Sequence, residues 1–355
     1  MFFGRFGNGD TVSVKLATAS AVGLWPSVVS LGLWHGCATS PDGVVHCWGR
    51  NHNGQLGDGT VEDQHRPVRV AADAPLGTVV TGDDFVCGLK PSGAAICWGG
   101  NGRGQLGIGT RGPLQCRFGN YCEPLPSPVE GGRQFKAIAA GIAHACAIGI
   151  DGAAFCWGQA LDGELGATPG TRDRDDGRCS AHPLTVQGGL RFQTIAAGGL
   201  YTCGVTIDGR LYCWGVLHHG MNGDRPTFTP TEIAGAPRLT TMSASLDHTC
   251  GLTSLGEAYC FGANGQGQLG DGTQISARTP VRVSGGQLFK AIAAGAGFTC
   301  AISTTSEAYC WGSNMSGELG RSDGLRNCAS PSDPSPQPCS LVPLPVPSPA
   351  TASHD

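Results

Sequence analysis

The chain has 355 residues, only 14% of them charged, and a formal net charge of -4, so it offers no basic field to hold a phosphate backbone and no nucleic-acid partner is expected. Glycine fills 58 positions, which suits turns rather than long exposed helices. No apolar run reaches the roughly eighteen residues of a membrane-spanning helix, and the 17 cysteines are many for a chain kept reduced, with an odd count that leaves at least one thiol outside any internal pair.

The N-terminus begins with Phe3-Gly4 and Gly9-Asp10-Thr11, followed by Lys15 and the apolar run Leu16 to Leu24, which has the look of a signal-peptide core. The rest of the chain explains these residues better. Cys-Trp-Gly occurs at Cys47, Cys97, Cys156, Cys213 and Cys310, and Cys-Phe-Gly at Cys260 in the same phase. Ten positions before each stands another cysteine: Cys37, Cys87, Cys146, Cys203, Cys250 and Cys300. This is a repeat with a period of about fifty residues.

Each unit reads alike. An apolar, small-residue stretch such as Phe135 to Ile148 predicts inner strands. A short turn follows (Pro41-Asp42-Gly43 in the first copy), then a strand ending in Cys-Trp-Gly, then Asn-x-x-Gly-Gln-Leu-Gly-Asp-Gly-Thr or a relative, and a last strand such as Arg66 to Val70. That makes about four short strands per unit. In an antiparallel hairpin facing residues have a constant sum, and the turn at Pro41-Asp42-Gly43 makes Cys37 face Cys47; the same arithmetic holds in all six copies. The third turn position calls for a left-handed residue and is glycine five times, with Thr304-Thr305-Ser306 the strained exception.

Thr11 lies as far before Cys37 as phase requires, so residues 1–27 read as a partial repeat. Full repeats follow at about 28–70, 79–129, 137–186, 194–233, 240–283 and 291–346, within one domain of residues 1–346; residues 347–355 read as a disordered tail. The upstream half of the partial repeat and an export signal are expected to precede Met1.

The elements GxxHxCA, DGxxxCWG and NxxGQLGDGT, fullest in His35 to Thr60 and His248 to Thr273, resemble the repeats of the regulator of chromosome condensation over nearly the whole chain. The resemblance implies an all-β propeller, here with seven blades of which the seventh is incomplete. The paired cysteines are similar to those of the secreted bacterial members, which implies an extracellular or cell-surface protein. The chain departs from the eukaryotic exchange factor in not being basic and in lacking an inserted wedge. A guanine-nucleotide-exchange or regulatory factor and a propeller-type enzyme inhibitor stand as alternatives to a secreted binding module.

Facing cysteines fall within disulfide reach, and each ten-residue loop adds about 2.5 to 3 kcal/mol when closed; the alternative is a reduced core in which cysteine is a small apolar residue. Cys116 with Cys122, and Cys328 with Cys339, flank insertions and read as loop staples, which leaves Cys179 as the odd thiol. No CxxC pair supports zinc. His35, His144 and His248 share a repeat position with Phe85, Tyr201 and Phe298, so they read as packing residues rather than metal ligands. His218-His219 and the acidic run Asp173 to Gly177 carry no metal signature. The glycine runs at Gly100 to Gly104 and Gly262 to Gly270 lead into strands, not helices, so no nucleotide cofactor is expected. No nucleophile stands with a plausible base, and the chain reads as a non-enzyme without cofactor or metal.

Insertions at Thr110 to Pro128, Ala167 to Pro183 and Arg321 to Ser340 arise at equivalent repeat positions and are expected on one face. The expected function is binding of a protein or surface macromolecule, as a monomer, with Arg117, Phe118, Tyr121, Arg172 and Arg174 as contacts.

Overall fold

The computed structural model describes residues 28–112, 116–168, 177–216, 225–330 and 333–347. These residues form six antiparallel sheets, arranged as the blades of a β-propeller, and in the first five the strands follow one another in sequence. The innermost strands are Val28–Leu31, Thr78–Thr81, Phe135–Ala140, Phe192–Ala197, Leu239–Ala244 and Phe289–Gly295. They are rich in alanine, threonine and valine because they converge on a central channel, where there is room for small side chains only. Each contacts the inner strand of the next blade, from the first blade to the sixth.

Six blades are described where seven were expected. The residues assigned to the incomplete seventh, 1–27, lie outside the described residues, as does the tail beyond residue 347.

The second and third strands of every blade form the predicted hairpin. In the first blade these are His35–Thr39 and Val45–Gly49, with Cys37 facing Cys47. The register repeats at Cys87 and Cys97, Cys146 and Cys156, Cys203 and Cys213, Cys250 and Cys260, and Cys300 and Cys310. All six pairs are disulfides with Cα atoms 4.1 Å apart. That is closer than an ordinary hydrogen-bonded pair, and it identifies the cysteines as non-hydrogen-bonded facing residues, whose side chains approach most nearly.

The insertion of the sixth unit is more ordered than a stapled loop. Arg326–Ser330 adds a fifth strand to that sheet and pairs with the long outer strand Asp333–Pro345, while Cys328 and Cys339 form a disulfide across the pair. Cys116 and Cys122 are likewise bonded.

At the hairpin turns Gly43, Gly93, Gly152, Gly209 and Gly256 have φ between 81° and 87°. Ser306 occupies the sixth turn at φ 72°, the one non-glycine with positive φ among the described residues. A left-handed serine costs on the order of 1 kcal/mol, part of which the greater freedom of unfolded glycine takes back. Ser306→Gly should therefore raise stability by about 0.5 kcal/mol in urea unfolding, whereas the matching Gly256→Ser should lower it; a destabilised Ser306→Gly protein would show that the side-chain contact of Ser306 with Lys290 outweighs the backbone.

Candidate functional site at the channel mouth

The site is framed by contacts that repeat from blade to blade. Four of the five Cys-Trp-Gly indoles reach the Gly-Gln-Leu-Gly loop, or its Gly-Glu-Leu-Gly relative, of the preceding blade: Nε1 of Trp98, Trp157, Trp214 and Trp311 donates to the carbonyl of Gln55, Gln105, Glu164 and Gln268 at 2.8 to 3.1 Å. The second glycine of that loop lets the ring in, since a Cβ at Gly57, Gly107, Gly166 or Gly270 would stand within 3 Å of the indole nitrogen. Unit four has no such loop in its sequence, and the blade after it carries Phe261, which has no N–H to satisfy.

A second contact joins neighbours nearer the channel. The glycine ending each inner strand leaves space for the ring three positions on: a Cβ at Gly82, Gly141, Gly198 or Gly295 would lie within 2.4 Å of Phe85, His144, Tyr201 or Phe298. That spacing is the physical content of the GxxH element. In the fifth blade Ser245 replaces the glycine and its Oγ lies 2.9 Å from His248 Nδ1.

Packing alone does not account for these histidines. His144 Nε2 lies 2.9 Å from Thr202 Oγ1, and His248 Nε2 lies 2.8 Å from Thr299 Oγ1, each hydroxyl being on the next blade. The threonine hydroxyls donate to the carbonyls of Glu164 and Gln268, so each neutral imidazole must donate at Nε2. Tyr201 does the same work, with its hydroxyl bonded to Thr249 Oγ1 and to the carbonyl of His248. The sequence carried the signal: a threonine follows the ring position in the blade after His144, Tyr201 and His248, whereas Ala145 stands there in the blade after Phe85. His35 breaks the pattern, for Val86 stands where a threonine would, and both of its ring nitrogens are buried without a hydrogen-bond partner.

Burial lowers the pKa of His144 to about 4 and that of His248 to about 3. Both lie below the ordinary value, so as pH falls from about 6.5 the unfolded chain takes up protons that the native chain refuses. Their contribution is complete above that pH and lost below it. Replacing His144 by Phe and Thr202 by Ala, the pair natural to Phe85 and Ala145, should reduce the loss of stability between pH 7 and 4.5 by about 2 kcal/mol in urea unfolding; an unchanged loss would assign the acid sensitivity to other groups.

The loops meet at one end of the channel. The turn residues Asp83 and Asp84, the turn residues Ile142 and Ala143 of the next blade, and Gly102, Arg103, Gln105, Asn120 and Tyr121 of the second blade surround a pocket of about 230 Å³. The inner-strand turns and the unit-two insertion thus share a face. Arg117 is exposed in the short 3-10 turn Arg117–Gly119, and Tyr121 is 43% exposed. The Cys116–Cys122 disulfide closes this insertion on itself, and an Asn120 Nδ2 bond of 3.1 Å to Asn53 Oδ1 ties it to the first blade. The Phe118 side chain, Arg172, Arg174, the run from Asp173 to Asp176, and His218-His219 lie outside what the structure describes. Cys179 opens the outer strand Cys179–Thr185 instead of sitting in a loop. Its thiol is the free one expected, but it is buried, and Arg111 Nη2 donates to it at 2.9 Å.

Burial is the largest influence on both acids here. It raises the carboxyl of Asp84 to about 6, with the charge of Asp83 adding to the effect, although Asn53 Nδ2 and Gln105 Nε2 bond its oxygens at 3.1 and 3.2 Å. Asp83 is raised by burial against the opposing pull of Arg50. Among the described residues no group of three or more His, Cys, Asp or Glu side chains is arranged to hold a metal ion.

A family model described as the RCC1-like domain matches residues 3–348. The chain belongs to the RCC1-like domain family. The ultraviolet-B receptor UVR8 of Arabidopsis thaliana is 29% identical over 203 residues, which cover 55% of this chain and 42% of the receptor. The human E3 ubiquitin-protein ligase HERC2 is 25% identical over 222 residues, 60% of this chain and 4% of the ligase. The match therefore spans less than half of either relative. Yeast Prp20, described as yeast RCC1 in its structure bound to Kap60, superposes with a TM-score of 0.75 at 18% identity, covering 98% of this chain and 83% of that one. The CRINKLY ectodomain of the Arabidopsis thaliana receptor kinase ACR4 gives 0.50 at 23% identity over 82% of this chain and 80% of that one. These likenesses are of fold.

Proposed function

We propose that this RCC1-like propeller is a non-enzymatic binding module of an extracellular or cell-surface environment, and that it engages a protein partner through the face bearing the unit-two insertion. The carrying observation is that insertion itself, fixed by the Cys116–Cys122 disulfide and by Asn120, with Arg117 and Tyr121 outward. Arginine and tyrosine on a pre-ordered loop lose little conformational entropy on binding. Eight disulfides among 17 cysteines support an oxidising compartment. Protein binding is what the structural relatives' own descriptions name: Prp20p with Gsp1p and histones, and Prp20 with Kap60.

A regulatory or exchange factor of the same family in a reducing compartment is the second reading, favoured by that likeness to Prp20. The two differ in thiol content. Protein isolated without reductant and unfolded in a thiol-labelling reagent should gain one label, on Cys179; many labels would favour the second reading.

The loop is tested by capture. Replacing residues 117–121 by a glycine-serine linker of equal length, with Cys116 and Cys122 retained, should abolish recovery of the partner that the native chain captures, while the melting temperature stays within a few degrees; equal recovery by both proteins would remove this face from the proposal.

A further inference from the structure

The central channel widens into a cavity of about 610 Å³, inside the range of roughly 300–1,000 Å³ typical of small-ligand sites. Its wall is apolar and small-sided, with Leu33, Ile142 and Leu246 near the turns. Asp83 and Ile142 line both this cavity and the 230 Å³ pocket beneath Tyr121, so the two spaces meet at Asp83.

Two polar groups on this wall make no side-chain hydrogen bond. His35 is 2% exposed, and neither ring nitrogen makes a hydrogen bond, because Val86 takes the place held elsewhere by Thr202, Thr249 and Thr299. Asp83 Oδ1 is buried and accepts no hydrogen bond, although the charge of Arg50 acts on this carboxyl. A buried acceptor without a donor costs on the order of 1–3 kcal/mol, and the propeller carries such groups together at one end of its channel. The sixth blade contributes Glu318 to the lining, and its carboxylate is already engaged by the Ser316 N–H at 2.8 Å.

The missing partner must be rich in donors. A carboxylate only accepts, and a neutral imidazole offers one accepting nitrogen. An anion would meet Asp83 unfavourably, and an apolar molecule would fill the channel yet leave both groups unpaired. We propose that this end of the channel binds a protonated amine or guanidinium on an apolar stem, with Asp83 as counter-charge, His35 as the neutral hydrogen-bonding group and Ile142 and Leu33 against the stem. The cation comes either as a free small molecule or as the lysine or arginine side chain of the protein partner. The proposal rests on the binding face described above, for which it names the chemistry; Tyr121 stands at the rim, where an aromatic face favours a passing cation.

Titration calorimetry with n-butylammonium, the tripeptide acetyl-Gly-Lys-Gly-amide and neutral n-butanol tests this without knowledge of the partner. Saturable binding of at least one cation, one per chain, is expected, with none for n-butanol. Asp83→Asn should weaken it by about tenfold or more, and Ile142→Trp, which fills the cavity and leaves Asp83 in place, should abolish it; Glu318→Gln should leave it unchanged. Binding of n-butylammonium alone assigns a free amine, and binding of the tripeptide assigns a partner side chain. Equal affinity in folded Asp83→Asn protein, loss in Glu318→Gln, or no saturation by either cation overturns the proposal. That failure would leave the loop-replacement result standing, so the two readings fall separately.

Discussion

An indole N–H that finds a backbone carbonyl on the neighbouring blade is the interaction on which the ring depends. A four-stranded blade has two apolar faces and cannot bury either alone. The Cys-Trp-Gly tryptophan resolves this by lying in the seam, fully buried, with its one polar atom satisfied by the loop of the blade before it. Most of the repeat follows from that requirement. The second glycine of Gly-Gln-Leu-Gly gives the ring space, and the leucine before it is buried beneath. Asparagine at the loop's start shapes it: Asn51, Asn264 and Asn314 each accept from the leucine N–H and donate across the loop to a carbonyl near its end.

The disulfides answer a different need. They lie within a blade, not between blades, so they hold each hairpin together while the indoles and the ring-to-threonine bonds hold the blades to one another. A short disulfide loop acts chiefly by restricting the unfolded chain. Each blade is therefore biased towards its hairpin before its neighbours arrive, which suits a fold built from units that cannot bury a core alone.

How much of this was legible follows from what repeats. Strand order, hairpin register, cysteine pairing and even the strained turn at Ser306 were readable, because a feature present in several copies identifies its own rule. The inter-blade relations were present in the sequence but required comparing different positions in successive copies. Phe261 follows the one unit lacking the loop that would accept an indole, and Thr202, Thr249 and Thr299 follow His144, Tyr201 and His248 by one blade. Treating the histidine position as mere packing missed this, since the partner lies about fifty residues away in a column of its own. The channel mouth was not readable at all. Asp83 has no periodic counterpart, and only the folded chain brings it beside Tyr121 and the wall that carries His35.

The same reasoning explains where a repeat scaffold has room for function. Where the rule holds, the indole N–H and the ring-to-threonine groups of the seam are paired, and a ligand has nothing to offer them. Between the first and second blades the rule lapses: Val86 leaves His35 without a hydroxyl, the Asp83 turn puts a carboxyl where neighbouring turns place Leu33, Ile142 and Leu246, and the unit-two insertion is stapled above it. Such departures persist only if the remaining seams hold the ring without help from this one. Stability shared among six similar blades meets that condition, because losing one hydrogen bond in one seam subtracts little from a total distributed over all of them. The irregular seam is thus the position at which the architecture tolerates unsatisfied groups, and unsatisfied groups are what a ligand can satisfy.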